Sequence, residues 1–119
     1  MAQDDPVTDL LVKALADPDE TTSFPNGVAE RVSLGGVSVT RATMEPDWHW
    51  ATDESDLVGE DRCPKSHHVY VVSGTLGLEL ADGTTAEVGP GEAVAIPPGH
   101  DGWTVGDEQL VYVDFDARG

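Results

Sequence analysis

The stretch HHVYVVSGTLGLELADGTTAEVGPGEAVAIPPGHDGW, from His67 to Trp103, decides the fold. Short apolar runs alternate in it with turn chemistry. HHVYVV, LGLEL, TAEV and AVAIP read as strands, each too short to carry a helical period. Between them, SGT, ADGT and VGPGE supply the Gly, Asp and Pro that a reversing backbone needs. Asp82-Gly83 is the strongest of these signals, because that dipeptide suits the tight turn of a two-residue hairpin. The segment therefore reads as consecutive strands joined by short turns.

The same pattern extends outward. VAERVSL, VSVTRATM and DWHWA precede the segment, and GWTV and QLVYVDF follow it. About nine strands at regular spacing predict an all-β sandwich or barrel. One helix is expected before them. Val7, Leu10, Leu11, Ala14 and Leu15 recur at helical spacing, Asp5-Pro6 offers an N-cap and a first-turn proline, and Asp17-Pro18 ends the run. The helix is expected near residues 6–16, which divides the chain into a helical segment (1–19) and a β domain (20–119). A polar stretch from Ala51 to Ser66 interrupts the strands, and a loop of that length in a compact domain is commonly functional.

With 119 residues the chain is one domain with a modest core. It carries 23 acidic against 6 basic residues, a formal net charge of −17. Nucleic acid and anionic membranes both require basic surface, so neither is an expected partner. The acids are scattered, Asp outnumbers Glu, and only Lys13 and Lys65 are lysine. This is the composition of a salt-adapted, halophilic surface. The single cysteine, Cys63, excludes an internal disulfide, and no run of apolar residues is long enough to span a membrane. A cytoplasmic location is expected. No Gly-x-Ser-x-Gly and no phosphate-cradling glycine loop occurs, so neither a serine nucleophile nor a nucleotide cofactor is expected.

The quoted stretch resembles the two-motif core of the cupin superfamily. Its first half ends as the first cupin motif does, in a strand, a glycine turn and a second strand (Val69 to Leu80). In the second half, Gly91, Pro97 and Gly99 match the glycine and the Pro-x-Gly corner of the second motif. The resemblance covers roughly residues 20–115 and implies a double-stranded β-helix, the cupin jelly-roll barrel, commonly a homodimer. For pairing between copies, DWHWA and LVYVDF offer apolar material. The family's usual metal ligands are not in their places. Counting back from Gly74 puts His67 where a glutamate is usual, Cys63 at the second histidine and Asp61 at the first. The last histidine position falls on Gly102.

The residues nonetheless form a candidate set. Asp61, Cys63 and His67 share parity, so in an extended segment they face one way. His100 sits on the Pro97-Pro98-Gly99 corner, where restricted prolines aim it toward the barrel mouth. Cys63, His67 and His100 are the expected metal ligands, for zinc or for iron with open positions, with Asp61 a further pocket residue. In a fully extended strand Cys63 and His67 would stand about 13 Å apart, so convergence requires a bend. His68 has the opposite parity and is expected to face away. Asp101 is a candidate to orient one imidazole. His49 lines the pocket only if Trp48 and Trp50 pack elsewhere, which the sequence leaves open. Two function classes follow: a metal-dependent enzyme acting on a small molecule, and a metal-free small-molecule-binding sensor or accessory protein.

Overall fold

A computed structural model describes residues 8–117, and these form nine strands and two single-turn helices. The strands are β1 (Glu20–Phe24), β2 (Gly27–Ser33), β3 (Val37–Met44), β4 (His67–Ser73), β5 (Thr75–Leu80), β6 (Thr85–Val88), β7 (Ala93–Ile96), β8 (His100–Val105) and β9 (Leu110–Ala117). The helices, α1 (Trp50–Asp53) and α2 (Ser55–Val58), both lie between β3 and β4. A six-stranded sheet of order β1-β2-β3-β9-β4-β7 faces a three-stranded sheet of order β6-β5-β8, and every pairing is antiparallel.

Alternation along each strand places the core between the sheets. On β4, Val69 and Val71 are buried while His68, Tyr70 and Val72 are exposed, as a period of two requires. From the opposite sheet Leu76, Leu78 and Val88 complete the layer, joined by Leu110, Ile96, Met44, Trp48 and Trp50. The turn from β4 to β5 depends on Gly74. Its φ is +76°, and a Cβ there would meet the Gln109 carbonyl oxygen at 2.5 Å.

The all-β class holds, but two elements differ from expectation. Residues 8–16 form no helix; the rest of the expected helix lies outside the described residues. Leu10 and Val12 are 94% and 87% exposed. A helix of three turns gains little in water without an apolar face to bury, so propensity and caps were not enough. The segment is tied down irregularly instead: Lys13 reaches Asp19 at 2.8 Å, and the Asp19 carboxylate accepts from the Ser33 amide at 2.9 Å. DWHWA is not a strand either. His49 makes one isolated bridge to Trp103, and the chain then turns into α1. The ninth strand is β1, ETTSF, a polar edge strand with four exposed residues and hence no apolar signal. LVYVDF, as part of β9, pairs on both sides with β3 and β4, so it offers a face to a second copy but no free edge.

Candidate metal centre

The polar stretch before β4 is bent back onto the corner that begins β8. Cys63 and His100 form an isolated antiparallel bridge: the Cys63 amide donates to the His100 carbonyl at 2.9 Å, and the Gly99 amide donates to the Cys63 carbonyl at 2.8 Å. Gly99 takes φ +87°, which turns the chain immediately after Pro98. Between Cys63 and His67 the backbone bends at Lys65 instead of running extended. The bend closes the distance that an extended strand would impose, and Cys63 Sγ lies 3.5 Å from His67 Nε2.

Three donor atoms converge as a result. One ligand atom each from Cys63, His67 and His100 lies within 4.8 Å of the other two. Cys63 and His100 are buried at 7% and 6% exposure, and the His67 side chain is 23% exposed. Both imidazoles are held through their far nitrogen. His100 Nδ1 donates to the Pro97 carbonyl at 2.8 Å, and His67 Nδ1 donates to Asp114 Oδ2 at 2.7 Å. Each Nε2 is thereby left for the cluster, the arrangement in which protein imidazoles ordinarily ligate metal. A thiolate, two imidazoles and an open fourth position fit zinc, and also iron in sites that keep positions open.

The electrostatics favour the ligating form of the thiol. Burial acts to raise the Cys63 pKa, but hydrogen bonds from His100 and His67 outweigh it and bring it down to about 6. Burial likewise acts to lower that of His67, yet the Asp114 carboxylate and then the Cys63 sulfur raise it to about 9. Without a metal, both shifts run toward a thiolate beside an imidazolium.

A cavity of about 360 Å³ opens beside the cluster. Trp48, Trp50, Met44 and Leu78 supply apolar wall, and Glu54 adds a carboxyl. Trp48 Nε1 donates to Glu54 Oε2 at 2.8 Å. Burial raises the Glu54 carboxyl to about 7 despite that bond, with the nearby Cys63 and Asp53 adding to the rise. Tyr112 also lines the cavity, and burial pushes its phenol up.

Of the further candidates, Asp61 is exposed and stands outside the cluster, because the bend breaks the parity that would have aligned it with Cys63. His49 is not a pocket residue: the tryptophans line the cavity, and His49 points away to bond Asp101 Oδ2 at 2.6 Å, its side chain 44% exposed. Asp101 accordingly holds His49, not a cluster imidazole, and its other oxygen accepts from the Ala51 and Gly102 amides. His68 faces outward. Gly102, where a cupin histidine is usual, packs under Trp48: a Cβ there would lie 3.4 Å from the indole ring. Asp114 and Glu54 are among the cavity residues that were missed. Asp114 had a legible signal, since it shares strand parity with the inward Leu110 and Tyr112. Glu54, one acid among many in a polar loop, had none.

Comparison with protein-family models and with curated proteins finds no match. Solved structures do match in shape. A sugar phosphate isomerase from the cupin superfamily of Silicibacter pomeroyi superposes with a TM-score of 0.56 at 19% identity, over 79% of this chain and 60% of that one. A cupin domain from Bordetella pertussis gives 0.56 at 19%, over 82% and 99%. A cupin-like protein from Thermotoga maritima gives 0.59 at 16%, over 89% and 82%. The chain thus spans about three fifths of the isomerase and most of the other two. The fold is the cupin fold, and within it Cys63, His67 and His100 come together.

Proposed function

We propose that this cupin-fold protein holds one divalent metal, zinc or ferrous iron, on Cys63, His67 and His100, and binds a small molecule in the adjoining cavity. The observation that carries the reading is the convergence of three donor atoms within 4.8 Å. A bound metal would supply Lewis acidity toward an oxygen of the small molecule. Asp114 fixes the His67 ring, Pro97 fixes the His100 ring, and Trp48 and Trp50 give the cavity an apolar wall. Glu54 is the group placed to take up or release a proton there, since its carboxyl titrates at about 7. On this reading the protein is an enzyme of the lyase, isomerase or oxygenase kind.

A second reading has its own observation. The thiolate–imidazolium pair satisfies Cys63 and His67 without a metal, which suits a metal-free sensor or accessory protein. Metal analysis of untagged protein separates the two. Stoichiometric metal in the wild type, lost in Cys63→Ala, His67→Ala and His100→Ala but kept in His68→Ala, supports the first. Metal-free protein throughout, after growth with zinc and iron, leaves the second.

The remaining parts of the proposal concern setting. No helix among the described residues is long and apolar enough to cross a membrane, and we assign the protein to the cytoplasm, without nucleic-acid partners. We assign it a homodimer through the outer face of the large sheet, where Tyr70, Val72 and Phe115 are 44%, 49% and 46% exposed. The domain itself is residues 20–119. Sedimentation at high salt tests the dimer, and a monomer at micromolar concentration overturns it.

A further inference from the structure

Nearly every cation of the chain is already paired. Lys13 pairs with Asp19 at 2.8 Å, Arg31 with Glu20 at 3.2 Å, Arg41 with Glu30 at 2.8 Å and Arg62 with Glu79 at 3.4 Å. Among the described residues, Lys65 is the one lysine or arginine without an ion pair. It is also the one that lines the cavity, from the bend between Cys63 and His67. In a chain with 23 acids, a cation left unpaired at that place invites an anion from outside the protein.

The two carboxylates that share the cavity do not take that role. Asp114 is held by His67, and Glu54 is held by Trp48. The rest of the wall is mainly apolar, with Trp48, Trp50, Met44 and Leu78. A pocket of this kind takes an apolar body and fixes it by a few polar contacts. The anionic end that fits is small and singly charged. A phosphate ester gathers several donors, typically arginine forks or helix N-terminal amides. Here one flexible ammonium stands alone, a point charge suited to one carboxylate.

We infer that the cavity binds a small apolar monocarboxylate, with the Lys65 ammonium pairing the carboxylate and the tryptophan-lined wall enclosing the body. This rests on the small-molecule reading above and not on the metal. Lys65 is not one of the three clustered donors, so the ion pair is expected in metal-free protein as well.

Phenylacetate and its neutral isostere phenylacetamide are the probes. Binding is read by calorimetry and by the fluorescence of Trp48 and Trp50, in protein stripped with chelator and in zinc-loaded protein. Lys65 is exposed at the cavity rim, and the wild type is expected to prefer the acid over the amide by about tenfold, the lower end of a charge-assisted hydrogen bond. Lys65→Met is expected to lose that preference while keeping the amide affinity, and Lys65→Arg to retain it. Far-ultraviolet circular dichroism and melting verify that both variants fold. Equal affinity for acid and amide in the wild type overturns the inference, as does failure of both to bind, or a preference that survives Lys65→Met. Protein that takes up no metal yet shows the Lys65-dependent preference defeats the metal reading alone. Protein that holds metal yet shows no preference defeats this inference alone.

Discussion

Asp114→Asn removes one charge, keeps the shape of the side chain, and tests how the cluster is built. Asp114 Oδ2 accepts from His67 Nδ1 at 2.7 Å, with the two side chains 19% and 23% exposed. In a site so little open to water the carboxylate is the main support of the His67 charge, and His67 in turn is one of two imidazoles that lower Cys63. The effect therefore propagates. With Asn at 114, His67 loses its imidazolium near neutrality, and the Cys63 pKa climbs from about 6 toward the ordinary thiol value of about 8.5. At pH 7 a thiol of pKa about 6 is roughly 90% thiolate, and one of about 8.5 is roughly 3%.

Two readouts follow. In metal-free protein, the pH midpoint of Cys63 alkylation by a small reagent should move up by at least one pH unit. Its rate at pH 7 should fall by only about two- to threefold, because the roughly 30-fold loss of thiolate is largely offset by the about tenfold greater nucleophilicity of a more basic thiolate. In metal-loaded protein, competition with a chelator should show affinity reduced by about 10- to 100-fold, the usual effect of losing the carboxylate behind a ligating histidine. An unchanged alkylation midpoint together with unchanged zinc affinity would refute the reasoning, since then neither the charge nor the orientation of His67 depends on Asp114.

Glu54→Gln should stabilise the metal-free protein at pH 8 by about 1–2 kcal/mol, after allowing for solvent screening of a half-buried group, with no gain near pH 4. The sign follows from linkage: the folded carboxyl holds its proton up to about 7, against 4.5 for the exposed group of the unfolded chain, so ionisation costs stability as pH rises between those values; urea titrations at both pH values check it. Gly102→His puts a histidine where the cupin motif usually has one, but its Cβ already touches the Trp48 ring at 3.4 Å, so the imidazole beyond it crowds that ring. A loss of about 1–3 kcal/mol is expected by thermal melting, and no rescue of metal binding in His100→Ala. The net charge of −17 should make the melting temperature rise markedly from low to molar salt; a flat or falling curve would remove the halophilic reading.

The strands that carry the cupin fold could be read from the chain because burial on one face imposes a period of two. β4 shows Val69 and Val71 in and Tyr70 and Val72 out, and the turn at Gly74 needs a positive φ that glycine supplies without strain. Elements that failed to declare themselves are those whose stability comes from elsewhere. β1 is polar because it is an edge, held by pairing with β2 and not by an apolar face. The N-terminal run has the period of a helix, but no other element supplies a surface to cover Leu10 and Val12.

At the site, the division falls between residue type and chain path. Cys63, His67 and His100 were identifiable as chemistry, and the proline–glycine corner marked where His100 would turn inward. What parity could not supply was the bend at Lys65. Strand alternation aligns Asp61 with Cys63 and His67 only while the chain is extended, and here it is extended only from His67 onward. The hydrogen bonds that fix the bend, Cys63 amide to His100 carbonyl and Gly99 amide to Cys63 carbonyl, join residues 36 or 37 positions apart, a long-range pairing invisible to local pattern. The same pairing brings Cys63 and His100 together at positions other than those the cupin motifs lead one to expect. With Gly102 filled by the Trp48 ring, a histidine two positions earlier is the one that the corner can deliver to the cavity. A cysteine held against it by the backbone bridge then brings a third donor atom to the cluster.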